Sequence, residues 1–212
     1  MSTIAGRYQP LDAARPGTPQ RARDLQTAQT VLLRELRLPK DDGGVAMARV
    51  QSAKGIFHPS LVTLFEATPL PEGRVLLAYE FVPAQSIAQV SGGHPFNVKR
   101  ASEIAIEIAD AVAELHARGV AHGGISQSTV LITMKGKAKL DRVGDPSLHI
   151  MLDPEQSRDL VALGDLLAEL VGKPVAGGQT GMQAVEMVIE RARSGQFDSA
   201  AMFAALLRRG QE

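Results

Sequence analysis

The stretch Ala121-His122-Gly123-Gly124-Ile125-Ser126-Gln127-Ser128-Thr129-Val130-Leu131 decides how this chain reads. It joins two segments of opposite character. Before it, Val98 to Arg118 places Ile104, Ile108, Ala111, Val112 and Leu115 at three- and four-residue spacing, the pattern of a helix with one apolar face, and Gly119 is its stop. After it, Val130–Thr133 and Ala138–Leu140 are short β runs around Met134-Lys135-Gly136-Lys137, a hairpin. The stretch is therefore a helix-to-strand loop carrying a histidine, two glycines and a row of hydroxyls.

Outward from that loop, the N-terminal part is extended and the C-terminal part helical. Residues 6–38 read as strands. Thr30-Val31-Leu32-Leu33 is the clearest of them, Arg7–Leu11 a weaker one, and the turn Ala14–Pro19 lies between. Asp41–Gly44 is a loop that opens a helix over Val45–Ile56, which His58-Pro59 ends because a residue before proline is pushed out of the helical region. Leu61–Phe65 and Arg74–Phe81 are two strands, with Pro69, Pro71 and Gly73 as their turn, and Val82–Ala84 leaves the sheet. Leu160–Val171 is apolar except at Asp165 and Glu169, a buried helix stopped by Gly172. Met182–Arg193 and Ser199–Arg209 are amphipathic closing helices. The boundary between a β-rich 1–82 and a helical 83–212 falls near Pro83.

Composition narrows the function classes. The 212 residues carry 23 Lys plus Arg and 23 Asp plus Glu, so no net field draws nucleic acid or an anionic membrane. With no cysteine there is no disulfide, thiolate catalysis or Cys-based metal site, and with no Trp and two Tyr there is no stacking platform for single strands. No run approaches the ~18 apolar residues of a membrane span. His94, His116 and His149 lack carboxylate or histidine partners at ligand spacing, so no metal is expected.

The loop at Ala121–Leu131 resembles the catalytic loop of protein kinases, whose pattern is H-R-D-L-x-x-x-N. His122 matches its His, Gly123 its Arg, Gly124 its catalytic Asp, Ile125 its apolar position and Thr129 its metal-binding Asn. Other strings follow in the order of that family, most like its bacterial Ser/Thr members. Arg21–Arg34 resembles the second and third strands, ending at the V-A-I-K position. His58-Pro59-Ser60-Leu61-Val62 resembles the turn and strand after the regulatory helix, and Tyr79–Val82 the hinge. Pro154-Glu155-Gln156 resembles the end of the activation segment. Asp159–Gly164 resembles the start of the buried helix beyond it, and Gln196–Ser199 the closing segment. The fold this implies is α+β and two-lobed, kinase-like, with a small β-rich N-lobe, a mostly helical C-lobe and a shortened activation segment. It also implies that His122 is structural and that Asp159 bonds backbone N–H groups of the loop around it.

The chemistry such a fold needs is missing position by position. Only Gly17 remains of a Gly-rich loop, and Pro16 and Pro19 have no N–H to offer a phosphate. Arg34 stands at the strand Lys, with a planar fork in place of a point ammonium. Arg49 stands at the helix Glu, so the activating ion pair becomes two like charges. Arg142, before Val143-Gly144, stands at the metal-binding Asp of D-F-G; a one-residue shift offers Asp141 instead. Gly124 and Thr129 replace the base and the second metal ligand. Gly144 and Pro154 are only ten positions apart, too few for a peptide platform, and Ser147 is the one hydroxyl there.

The expectation is a pseudokinase: no phosphotransfer, no cofactor, and a cytoplasmic regulatory or scaffolding role through protein partners. It could be part of a larger membrane or signalling protein. The helix Val45–Ile56, the segment Asp145–Asp153 and the last helices are the candidate contact surfaces. Two alternatives stand beside it. One is an ATP-binding enzyme of diverged chemistry using Asp141. The other is an anion sensor in which Arg34, Arg49 and Arg142 converge, against the plainer reading that they pair with Glu35, Asp141 or Asp145.

Overall fold

A computed structural model describes residues 3–15, 17–39, 43–148, 155–172 and 181–210. Pro16, Asp41, Asp42, His149 and Pro154, and with them most of the shortened segment before Glu155, lie outside the described residues. By internal contacts the chain forms two units. One comprises Met1–Phe57, Val62–Val82 and Arg142–Ser147; the other His58–Leu61, Pro83–Asp141 and Leu148–Glu212. The architecture is the α+β, kinase-like one expected, with a small β-rich unit and a larger, mostly helical one.

The first unit is an antiparallel sheet of β1 (Tyr8–Pro10), β2 (Gln20–Asp24), β3 (Thr30–Arg37), β4 (Leu64–Leu70) and β5 (Arg74–Glu80), in the order β1-β2-β3-β5-β4. Alternation puts Tyr8, Ala22, Val31, Leu33, Leu76 and Ala78 on one face as a buried cluster, with Ile4 and Leu70 against it. Asp24 fixes the turn after β2. It accepts a fork from Arg7 (Nε 2.8 Å, Nη2 2.6 Å), the Gln26 N–H (2.9 Å) and the Thr27 hydroxyl (3.0 Å). The Arg7 guanidinium holds this buried carboxyl well below the usual carboxylate range. The strand expected from Leu61 begins only at Leu64, and Pro69, expected in the turn, sits inside β4 opposite Val75.

Helix α1 (Gly43–Ala53) buries Ala46, Val50 and Ala53, one face at four- and three-residue spacing. Against that face lies Arg142–Ser147. Gly144 has φ +73°, and a Cβ there would meet Ala53 Cβ at 2.6 Å. Only glycine offers both that backbone and that closeness. Val143 is buried beside it, and its carbonyl accepts from the Tyr79 hydroxyl at 3.0 Å.

Among its described residues the second unit holds a three-stranded sheet, β6 (Ala84–Ser86), β7 (Val130–Thr133) and β8 (Ala138–Leu140), and five helices: α2 (Ile87–Ser91), α3 (Val98–Ala117), α4 (Gln156–Val171), α5 (Met182–Arg193) and α6 (Ala200–Arg209). β6 and α2 were not expected. They run straight on from one another, and Ser86 and Gln89 form a reciprocal capping box at the junction. Asn97 caps α3, its side chain accepting from Arg100 N–H at 2.8 Å. The apolar face of α3 is buried from Ala101 to Leu115. In α4, Gly164 lets α5 approach so closely that a Cβ would lie 2.6 Å from that of Ala192. Leu61 makes a single parallel bridge to Leu140, and the Ser60 carbonyl accepts the Leu140 N–H at 2.8 Å.

Candidate functional site

The loop between α3 and β7 is held from beneath by one carboxylate. Asp159, in the first turn of α4, is 1% exposed. Its Oδ2 accepts the His122 N–H at 2.7 Å and its Oδ1 the Gly123 N–H at 2.9 Å. His116 Nε2, from the end of α3, lies 2.9 Å from Oδ2. Burial pushes this carboxyl up. The His116 hydrogen bond, the neighbouring His122 ring and the two backbone N–H groups outweigh it and leave the carboxyl below its ordinary value. The role the resemblance implied for Asp159 is the geometry found. The sequence offers His116 no carboxylate at ligand spacing, and folding supplies this one. The two lie 43 residues apart, and no local spacing announces the pair.

His122 is fully buried. Its Nδ1 lies 3.3 Å from the Gly124 N–H, which it accepts, so the ring proton sits on Nε2, which donates to the Asp141 carbonyl at 2.8 Å. The imidazole ties the loop to the strand end after β8 and presents no free nitrogen. Thr129 is likewise turned inward. Its hydroxyl lies 2.7 Å from the Gly124 carbonyl and 3.0 Å from the Ser126 N–H, and its own carbonyl accepts the Asp141 N–H at 2.8 Å. At this position the side chain closes the turn Gly124–Thr129.

Gly124 stands where the resemblance puts a catalytic base, and the space beside it is filled. A Cβ on Gly124 would lie 2.9 Å from Leu148 Cδ2, 3.1 Å from its Cβ and 3.2 Å from its Cδ1. Neither a carboxylate nor a substrate hydroxyl occupies that volume while Leu148 does. Sequence reasoning missed Leu148, because a leucine 24 residues downstream carries no signal of what it fills.

The three arginines all belong to the first unit: Arg34 on β3, Arg49 on α1 and Arg142 in the segment against α1. Arg142 has φ +65°, a left-handed backbone that is uncommon for a side-chain-bearing residue. Its guanidinium turns to Asp145 (Nε–Oδ2 2.8 Å) and the Ser147 hydroxyl (2.6 Å), and Asp145 is fully buried. The plainer reading thus describes Arg142. Glu35, another anticipated partner, is instead paired with Arg74 at 2.6 Å. A cavity of 460 Å³ includes Arg34 in its lining, with neither Arg49 nor Arg142. Among the described residues no group of three or more His, Asp or Glu is placed to hold a metal ion, and no helix is long and apolar enough to cross a membrane.

Comparison with characterised proteins returns protein kinases. The chain is 26% identical over 145 residues to cell division control protein 2 homolog 3 of Trypanosoma brucei brucei, covering 65% of this chain and 46% of that protein. It is 26% identical over 117 residues to serine/threonine-protein kinase pkn3 of Myxococcus xanthus, 53% of this chain and 21% of the relative. It is also 26% identical over 151 residues to the LEAF RUST 10 disease-resistance locus receptor-like protein kinase-like 1.3 of Arabidopsis thaliana, 58% of this chain and 22% of the relative. The matches thus span less than half the length of each of these relatives. No family model matches the chain.

Proposed function

We propose that this kinase-like chain is a pseudokinase that does not transfer phosphate and works as a regulatory or scaffolding module through protein contacts. The observation that carries the reading is at Gly124: the position of the base has no side chain, and Leu148 fills its place. Further support comes from Thr129, whose hydroxyl is spent inside the loop, and from Arg142, a cation engaged with Asp145 where the resemblance calls for a metal-binding acid. Phosphoryl transfer is catalysed by positioning and charge stabilisation, and removing one such group costs roughly 10² to 10³ in rate. These losses do not add, but base and metal positions are changed together. What persists is the part of the loop that supports structure: His122 and the Asp159 beneath it.

The test is phosphotransfer by the purified 212-residue chain with radiolabelled ATP and magnesium or manganese, on itself and on generic protein acceptors. Incorporation at the protein-free background is expected. Metal-dependent incorporation that grows linearly with enzyme and time overturns the reading, and Asp141→Asn then asks whether that carboxylate supports it.

A further inference from the structure

Strand β3 is longer than the strand that covers it. β2 pairs with β3 only from Thr30 to Leu33, whereas β5 pairs along its other side as far as Arg37. The Leu38 N–H donates to the Gly73 carbonyl at 2.8 Å, which sets the alternation: even-numbered residues of β3 turn their main-chain groups to β5, odd-numbered ones the other way. Val31 and Leu33 therefore meet β2. Glu35 and Arg37 turn an N–H and a C=O each toward an edge where no strand lies, and none of these groups finds a partner among the described residues.

A cavity of 460 Å³ adjoins this edge, between β3 and the chain that leads into β2. Ile4, Leu33, Leu36 and Leu76 give it an apolar lining, with Arg15 and Arg34 also on its wall. Charge at the edge is one-sided. Glu35 is neutralised by Arg74 at 2.6 Å and Asp12 by Arg21 at 2.7 Å, with Arg15 also acting on Asp12, while Arg37 has no ion pair among the described residues.

We propose that the Glu35–Arg37 edge of β3 takes up an extended, acidic segment of a partner protein by strand addition, with one apolar side chain of that segment entering the cavity. An alternating row of N–H and C=O groups is satisfied by another extended main chain. Arg37 selects acidic side chains along it, and the apolar lining selects one large aliphatic or aromatic residue. The inference rests on the strand edge and not on the catalytic loop, and its test contains no nucleotide, so it stands or falls apart from the absence of phosphotransfer.

The test uses the full chain and four fluorescent probe peptides: one alternating glutamate with leucine, two the same but N-methylated on the amides of one edge or of the other, and one with lysine for glutamate. Anisotropy reports affinity, and amide hydrogen exchange reports Glu35 and Arg37. Saturable binding of the acidic probe is expected, with slowed exchange at both amides. N-methylation on the pairing edge, tried in both registers, and Arg37→Glu are each expected to weaken it about tenfold, the scale of one or two hydrogen bonds or a close charge pair. Arg37 is exposed and outside the core, so its variant keeps the fold, checked by an unchanged melting temperature. No binding, equal binding of the N-methylated or lysine probes, binding without protection at Glu35 and Arg37, or an edge already protected by self-association of the chain overturns the proposal.

Discussion

Replacing Asp159 with asparagine tests the account of the loop most directly. The carboxylate accepts three hydrogen bonds at 2.7–2.9 Å while 1% exposed. Asparagine keeps the shape but has one oxygen. With that oxygen facing His122 N–H and His116, the amide nitrogen faces the Gly123 N–H, donor against donor. A hydrogen bond to a charged group contributes about 1.5–3 kcal/mol, and an unsatisfied buried donor costs about 1–3 kcal/mol. The expected loss is on the order of 3 kcal/mol. In urea unfolding, where slopes are about 1–3 kcal/mol per molar, that is a midpoint shift of about 1–3 M with an unchanged slope. The pH dependence has a definite sign. The folded carboxyl lies below its ordinary value, so its stabilisation is complete above the unfolded carboxylate range and is lost as pH falls through the lower, folded value. The gap between the native chain and the variant is therefore expected to narrow on acidification. A shift under 0.5 kcal/mol, or a gap that widens toward acid, would refute the reasoning.

Three further outcomes follow from the geometry. Gly124→Asp is expected to lower stability by about 1–3 kcal/mol through overpacking against Leu148 and to leave phosphotransfer at background, with the double variant Gly124→Asp, Leu148→Ala recovering part of the melting temperature. Gly144→Ala combines a left-handed backbone with a 2.6 Å approach to Ala53, and thermal melts are expected to show a loss of about 2–4 kcal/mol, larger than for Gly136→Ala, where φ is +74° but nothing lies within 4 Å. Asp24→Ala removes the acceptor of four hydrogen bonds at the turn after β2. A loss of about 3 kcal/mol is expected at neutral pH, most of it surviving into moderate acid because the Arg7 partner holds the carboxyl so low.

Periodicity made the helical part of the fold legible. Ile104, Ile108, Val112 and Leu115 announce α3 because burial of one face imposes that spacing, and the two strands β7 and β8 are read from their apolar runs and the glycine between them. Three-residue strands do not announce themselves: Ala84-Gln85-Ser86 has no β signature, and it pairs because its neighbour does. The loop at His122 was legible as a motif. What surrounds it was not, since His116, Leu148 and the Asp159 oxygens meet only after folding brings distant stretches together. The same holds for Arg142, whose choice of Asp145 depends on a backbone conformation that side-chain chemistry does not reveal.

The short stretch Arg142–Ser147 has a consequence for how the protein is made. It completes the β-rich unit: Val143 is tied to Tyr79 across 64 positions, and Gly144 lies against α1. During synthesis, residues 1–82 leave the ribosome with that place still empty, and about sixty more must follow before it can be filled. Until then the Tyr79 hydroxyl lacks its acceptor and the inner face of α1 lacks its cover. The nascent N-terminal part thus waits, incompletely closed, on a stretch encoded far downstream, and a fragment cut at the apparent domain border inherits the same exposed surface for good.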